Sequence, residues 1–186
     1  MADLIAGFRL RDASLSDAEG MARVGRNAWM FAYAGILPDD FIASVTDLHL
    51  SIERFQRSLT QPGHRLVAVS REGTLIGYAI QRAPCSLDEY DGEICGLYVD
   101  PESSRAGVGR ALVEAMVARF KSDGYRSMAI HTLAQNRIGC AFHEKLGGGE
   151  GPSSTWHECP SKWYVWPDLA SFPSVASQVI DSEACF

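Results

Sequence analysis

Gly92-Glu93-Ile94-Cys95-Gly96-Leu97-Tyr98-Val99-Asp100-Pro101, followed after Glu102 and Ser103 by Ser104-Arg105-Ala106-Gly107-Val108-Gly109-Arg110, is the stretch that decides the fold. The first part reads as an apolar strand stopped at Asp100-Pro101. The second is a glycine-containing turn that opens a long amphipathic helix, with Val108, Ala111, Leu112, Ala115, Met116 and Phe120 on one side. The first N–H groups of a helix lack intrahelical partners, and the helix dipole is positive there, so such a turn suits a pyrophosphate. Glycines at this place also serve a plain tight turn. Two other nucleotide motifs are excluded. No Gly-Lys-Ser/Thr is present, Leu112 occupies the third glycine position of a dinucleotide fingerprint, and the glycine run from Gly147 to Gly151 follows a helical segment and not a strand.

Upstream, Phe8-Arg9-Leu10-Arg11 alternates as a short strand, and Ser14 to Asp17 supply caps for a helix with Ala18, Met21, Ala22, Val24, Gly25 and Ala28 on its inner side. Pro38-Asp39-Asp40 starts another helix, and Leu48, Ile52, Phe55 and Leu59 continue with helical spacing. Leu66 to Val69 and Leu75 to Ile80 flank Arg71-Glu72-Gly73-Thr74 as a hairpin. Downstream, Gly124 ends the long helix, Ser127 to Leu133 reads as a strand, Asn136 to Leu146 as a helix and Trp163 to Trp166 as the last strand. The order predicts an α/β (α+β) fold, a mixed sheet with helices on both faces.

The 186 residues fit a single domain, residues 8–169, followed by a tail, residues 170–186. A net charge of -6 argues against a general electrostatic grip on nucleic acid or an acidic membrane. Cys85, Cys95, Cys140, Cys159 and Cys185 are odd in number and without ligand or disulfide spacing, which predicts reduced thiols. With no basic, apolar leader at Met1 to Ile5 and no window near the roughly 18 apolar residues of a span, the expectation is a soluble, cytoplasmic protein. His157 and Cys159 lack partners at ligand spacing, so no metal is expected.

Leu97-Tyr98-Val99-Asp100-Pro101 with Arg105-Ala106-Gly107-Val108-Gly109-Arg110-Ala111-Leu112, and then Asn136 through Phe142 with Glu144-Lys145-Leu146-Gly147, resembles the two signatures of the GNAT family, the Gcn5-related N-acetyltransferases. The resemblance runs from Phe8 to about Leu169. It implies the acyl-CoA N-acyltransferase fold, a mostly antiparallel sheet splayed after the fourth strand, with acetyl-CoA as acyl donor in the opening. Backbone groups of Leu97, Tyr98 and Val99 would pair with the pantetheine arm, the turn formed by Arg105, Ala106, Gly107, Val108, Gly109 and Arg110 would hold the pyrophosphate, and Asn136 would bind the arm or cap its helix.

The implied reaction is acetyl transfer to an amine, which attacks only when unprotonated and so needs a base. Glu93 is the candidate, directly or through water; a solvated strand-end acid is the alternative. His143 stands where the family often has the tyrosine that protonates the leaving thiolate, and is read either as that acid or as a plain helix histidine. Ser104 replaces the usual Gln or Arg before the turn, with Arg105 displaced by one. His131 is a further possible base. Cys95 and Cys140 raise an acyl-enzyme route, against which core packing is the plainer reading.

From the aromatic segment, Trp29 and Tyr33 are assigned to the acceptor pocket, and Asp39, Asp40 and the Asp88-Glu89-Asp91 loop are expected to draw a cationic amine. A small-molecule amine is the expected acceptor. A protein N-terminus or lysine, and a non-catalytic acyl-CoA sensor, are the alternatives. Phe172, Val175, Val179 and Ile180 in the tail are read as a homodimer contact or as packing on the chain's own core.

Overall fold

The computed structural model describes residues 7–173. Val175, Val179, Ile180 and Cys185 lie outside them. Seven strands form one sheet in the order β1-β2-β3-β4-β5-β7-β6, from β1 (Phe8–Asp12), β2 (Arg65–Ser70), β3 (Leu75–Arg82), β4 (Gly92–Val99), β5 (Met128–Leu133), β6 (Gly149–Trp156) and β7 (Cys159–Trp166). Only β4 and β5 pair in parallel. Helices α1 (Ala18–Tyr33), α2 (Asp39–His49) and α3 (Ile52–Leu59) cover one face, and α4 (Val108–Ser122) and α5 (Arg137–Lys145) belong to the other.

Alternation along the strands explains the two cores. Val67, Val69 and Tyr78 face α1 to α3, joined by Leu75 through the register shift at Ala68 and Val69, and pack with Met21, Val24, Ile42 and Phe55, whereas Leu66, Ala68, Ala79 and Ile94 face α4, packing with Leu112, Met116 and Phe120. The inner side expected for α1 is the buried one, extended by Trp29 and Tyr33. The spacing from Leu48 to Leu59 is helical as expected but lies in two helices, broken at Leu50 and Ser51, where the Ser51 side chain caps α3 by accepting from the Arg54 amide at 3.3 Å.

One strand is absent from the sequence reading. Gly149–Trp156 carries glycine, proline and serine with no apolar alternation, and its ladder to β7 is what makes it β6. It is an edge strand, exposed along most of its length, so neither face demands an apolar pattern. In the tail, Phe172 is buried in the chain's own core, its ring centroid 6.2 Å from that of Trp166.

Gly77 sets how closely α4 seats on the sheet. A Cβ there would lie 2.9 Å from Val108 Cγ1 and 3.1 Å from the Tyr98 carbonyl oxygen. Gly77→Val is therefore expected to destabilise the fold by about 1–3 kcal/mol, as overpacking does, read as a lowered midpoint in urea unfolding.

Candidate active site

The parallel ladder between β4 and β5 is short. It joins Gly92, Glu93 and Ile94 to Met128, Ala129 and Ile130 and ends there, while β4 continues to Val99 and β5 to Leu133. Beyond Ile94 and Ile130 the two strands have no ladder between them, and β4 keeps only β3 as a neighbour. At roughly 3.3 Å per residue, residues 95–99 present about 16 Å of strand edge to the opening. A cleft of about 2110 Å³ occupies it, lined by both strands, by the turn before α4 and by α1, α3 and α5.

The apex is fastened from below. Asp91 Oδ2 accepts from the Arg126 amide at 2.8 Å, the Ser127 amide at 3.0 Å and the Ser127 hydroxyl at 3.1 Å, tying the start of β4 to the start of β5. These bonds hold the Asp91 carboxyl below its ordinary pKa. At the open end, Asp100 accepts from the Arg23 guanidinium at 2.6 Å and fixes the strand-to-turn corner to α1.

The turn fits an anion. Arg105 and Gly107 have φ of 65° and 81°, in the left-handed region, and Gly107 is the N-cap of α4. The first bond of the helix runs from the Ala111 amide to the Gly107 carbonyl at 3.0 Å, so the amides of Val108, Gly109 and Arg110 have no partner within the helix. Arg105 and Arg110 line the cleft beside them. Asn136 caps α5, its Oδ1 accepting from the Gly139 amide at 2.9 Å, and also lines the cleft.

Glu93 stands on the ladder's middle rung, opposite Ala129, and is only 2% exposed. Its Oε2 accepts from the Ser86 amide at 2.9 Å, and its Oε1 lies 3.9 Å from Arg82 Nη1. Across the gap His131 stacks on Trp163 with Nε2 3.1 Å from Ser154 Oγ, and burial lowers its pKa. Residues 30–148, from the last turn of α1 through α5 and so including β4, the turn before α4 and β5, match the model of the acetyltransferase (GNAT) family.

The chain belongs to the GNAT family and is an N-acetyltransferase.

It is 30% identical over 128 residues to the uncharacterized N-acetyltransferase YuaI of Bacillus subtilis, covering 68% of this chain and 72% of that one. It is 25% identical over 144 residues to a spermidine N(1)-acetyltransferase of Thermoplasma acidophilum, covering 75% and 87%. Among solved structures, the PaiA N-acetyltransferase of Thermoplasma acidophilum in complex with coenzyme A superposes with a TM-score of 0.71 at 22% identity, over 86% of this chain and 99% of that one. YncA of Salmonella typhimurium, solved with acetyl-CoA, gives 0.62 at 20% identity over 90% and 96%. The splayed GNAT sheet is thus the fold found here.

His143 borders the cleft, yet its ring does not lie open to it. It is 5% exposed, packed among Phe142, Tyr164 and Trp166, and its Nδ1 is buried without a hydrogen-bond partner. Desolvation pulls its pKa down to about 4, so at neutral pH it has no imidazolium proton to give. Nor do the acidic groups expected to attract an amine line the cleft. Asp40 accepts from the Phe41 amide at 2.9 Å at the start of α2, Asp91 is the clasp already described, and Asp39, Asp88 and Glu89 also lie outside the lining.

Trp29 and Tyr33 have a double position, buried in the α1 to α3 core and on the cleft wall. Their rings are 4.6 Å apart, Trp29 Nε1 donates to the Tyr98 hydroxyl at 3.2 Å, and burial raises the Tyr33 pKa while Asn136 and Thr132 nearby act the other way. Tyr33 of α1 thus lies near the β5 arm. Nothing in its sequence context signals this, because the partners are about a hundred positions away.

The buried imidazole gives a pH test. In the unfolded chain His143 takes up a proton below about 6.5, but in the fold only below about 4. Between those values the unfolded state binds more protons, so stability falls as pH drops through the window and levels off beneath it. From pH 7 to pH 5 the expected loss is about 2 kcal/mol. His143→Leu should remove most of that loss, as measured by urea unfolding at the two pH values.

Proposed function

We propose that the protein transfers the acetyl group of acetyl-CoA directly to the primary amine of a small molecule. The observation that carries this reading is the placing of a buried carboxylate, Glu93, at the apex of the opening whose other end is the anion-suited turn before α4. The donor supplies a thioester already activated toward amines; the chain has to bind it, take the acceptor's proton and offset charge on the departing sulfur.

The residues present suit the donor. Unpartnered amides at Val108, Gly109 and Arg110 favour a pyrophosphate, with Arg105 beside them, and the free β4 edge along Leu97, Tyr98 and Val99 favours an amide-containing arm added like a strand. Asn136 keeps its cap while its side chain borders the same slot.

Glu93 is the base. Its Oε2 is oriented by the Ser86 amide, and burial removes competing bulk water, so an ammonium entering the apex meets a fixed carboxylate, directly or across one water. For the departing thiolate, Tyr33 is better placed than His143. Desolvation raises the Tyr33 pKa, so the hydroxyl keeps its proton and offers it as a hydrogen-bond donor on the cleft wall. An acyl-enzyme on Cys95 is disfavoured by the same physics. Desolvation on the cleft floor holds that thiol above its ordinary pKa, and its nearest polar partner is the Ile80 carbonyl at 3.6 Å, not a base.

Glu93→Gln is expected to lower kcat roughly a hundredfold and to flatten the acid limb of the rate profile, with acetyl-CoA affinity unchanged by calorimetry. Unchanged turnover and pH profile would remove Glu93 from the mechanism. Tyr33→Phe should cost about tenfold or more in kcat with little change in the acetyl-CoA KM, whereas an effect confined to KM would make Tyr33 a binding residue only.

A further inference from the structure

The charge around the apex runs against the charge of the protein as a whole. The chain carries a net charge of -6, yet among the described residues Glu93 is the one carboxylate that lines the cleft. The same cleft is also lined by Arg54 and Arg57 of α3, Arg65 at the start of β2 and Arg82 at the end of β3, the last of them paired with Glu93 across β3 and β4. These four are separate from Arg105 and Arg110 at the turn before α4, which the donor's phosphates account for.

Three of the four guanidinium groups have no carboxylate of the described residues beside them. Among the described residues, no carboxylate lies within 4.0 Å of Arg54, Arg57 or Arg65, and Arg82 is 3.9 Å from Glu93, outside hydrogen-bond range. Two are held in place by neutral groups instead. Arg65 donates to Ser58 Oγ at 3.3 Å and to the carbonyls of Gln61 and Pro62 at 3.2 and 2.6 Å, and Arg82 donates to Ser86 Oγ at 3.0 Å. Such bonds fix a cation without neutralising it. Register brings these two to one end of the sheet: Arg65 pairs with Ile80 and Arg82 with Glu93 across neighbouring strands.

A polycation entering this end would meet four like charges and a single carboxylate that must serve as base, an arrangement that discriminates against it. An anion would find the Arg65 and Arg82 guanidinium groups already held, with Arg54 and Arg57 on the same cleft lining, and the planar fork suits carboxylate and phosphate alike. We propose that the acceptor is a primary amine that also carries an anionic group, a carboxylate or a phosphate, which Arg54, Arg57, Arg65 and Arg82 hold while the amine faces Glu93. This rests on the reading of Glu93 as the base for acetyl transfer to a small amine. No bond changes at the arginines: the ammonium gives one proton to Glu93, which passes it to solvent, the freed amine nitrogen forms the amide as the thioester carbon-sulfur bond breaks, and the second proton lost by that nitrogen ends on the departing sulfur, so that the thiol leaves neutral.

The test is thiol release by the full chain at saturating acetyl-CoA, with a panel of primary amines in matched charge classes. Ethanolamine represents the neutral class, β-alanine the carboxylates, O-phosphoethanolamine the phosphates and spermidine the polycations, each class extended by several homologues. The acidic amines should exceed ethanolamine in kcat/KM by at least tenfold, with spermidine below it, and the advantage should shrink between 0.05 and 0.5 M salt. The carboxylate and phosphate arms tell which anion is preferred. The double substitution Arg54→Gln with Arg57→Gln, both on exposed positions of α3, should raise the KM for the acidic amine tenfold or more while leaving the acetyl-CoA KM and the ethanolamine kcat/KM in place. Equal or better use of neutral or polycationic amines, untouched by the double substitution, overturns this inference and leaves the proposed acetyl transfer standing. Tight acetyl-CoA binding with transfer to no amine in any class overturns both.

Discussion

Everything at the site depends on the parallel pairing of β4 with β5 being made and then abandoned within three rungs. The Asp91 carboxylate, bridging to the Arg126 and Ser127 amides and the Ser127 hydroxyl, fixes where the two strands begin together. After Ile94 and Ile130 they part. A sheet interior ordinarily satisfies every backbone donor and acceptor, so an edge left open in the middle of a seven-stranded sheet is a standing demand for a partner. Under the proposed function an extended, amide-bearing donor would meet that demand, while the pairing below it holds the fold together.

Packing on the two faces then decides which side chains look into the opening. Gly77 lets Val108 sit against β3 and so brings the unpartnered amides of α4 to the mouth of the cleft. On the other face, Gly25 lies so close to the Tyr78 hydroxyl that a Cβ there would approach within 2.6 Å, and this close seating of α1 carries Trp29 and Tyr33 to the wall. Side chains that fill the core thus also shape the pocket, and the same contact does both at Tyr33.

The polarity of the site is divided in the same way. Acidic residues prevail over the chain and are largely spent on structure, as with Asp17 on Arg11, Asp91 on the β5 start and Asp100 on Arg23. Arg11 holds the Asp17 carboxyl down to about 2, so that pair persists across the physiological range. The cleft keeps arginines from α3 and β2 that have no carboxylate of the described residues beside them, and Arg82 of β3 at 3.9 Å from Glu93. Net charge describes the protein's long-range field, and the cleft has the opposite sign because its lining is drawn from only a few positions.

Much of this was legible before any coordinates. Strand, turn and helix around Gly107, the hairpin at 71–74, the helix capped by Asn136 and the family itself are local patterns, since a strand's alternation, a cap and a left-handed glycine are each written within a few neighbouring residues. What the sequence withheld was long-range. β6 has no pattern of its own and exists through β7. His143 has the right spacing for an acid, and its burial among rings that include Tyr164 and Trp166 lowers its pKa. Asp88, Glu89 and Asp91 form an acidic cluster in the chain but not in the cleft, whereas Arg54, Arg65 and Arg82, unremarkable in sequence, converge there. Backbone conformation is set by neighbours in the chain and is readable from them. Desolvation and charge pairing are set by neighbours in space, and only the tertiary structure brings those together.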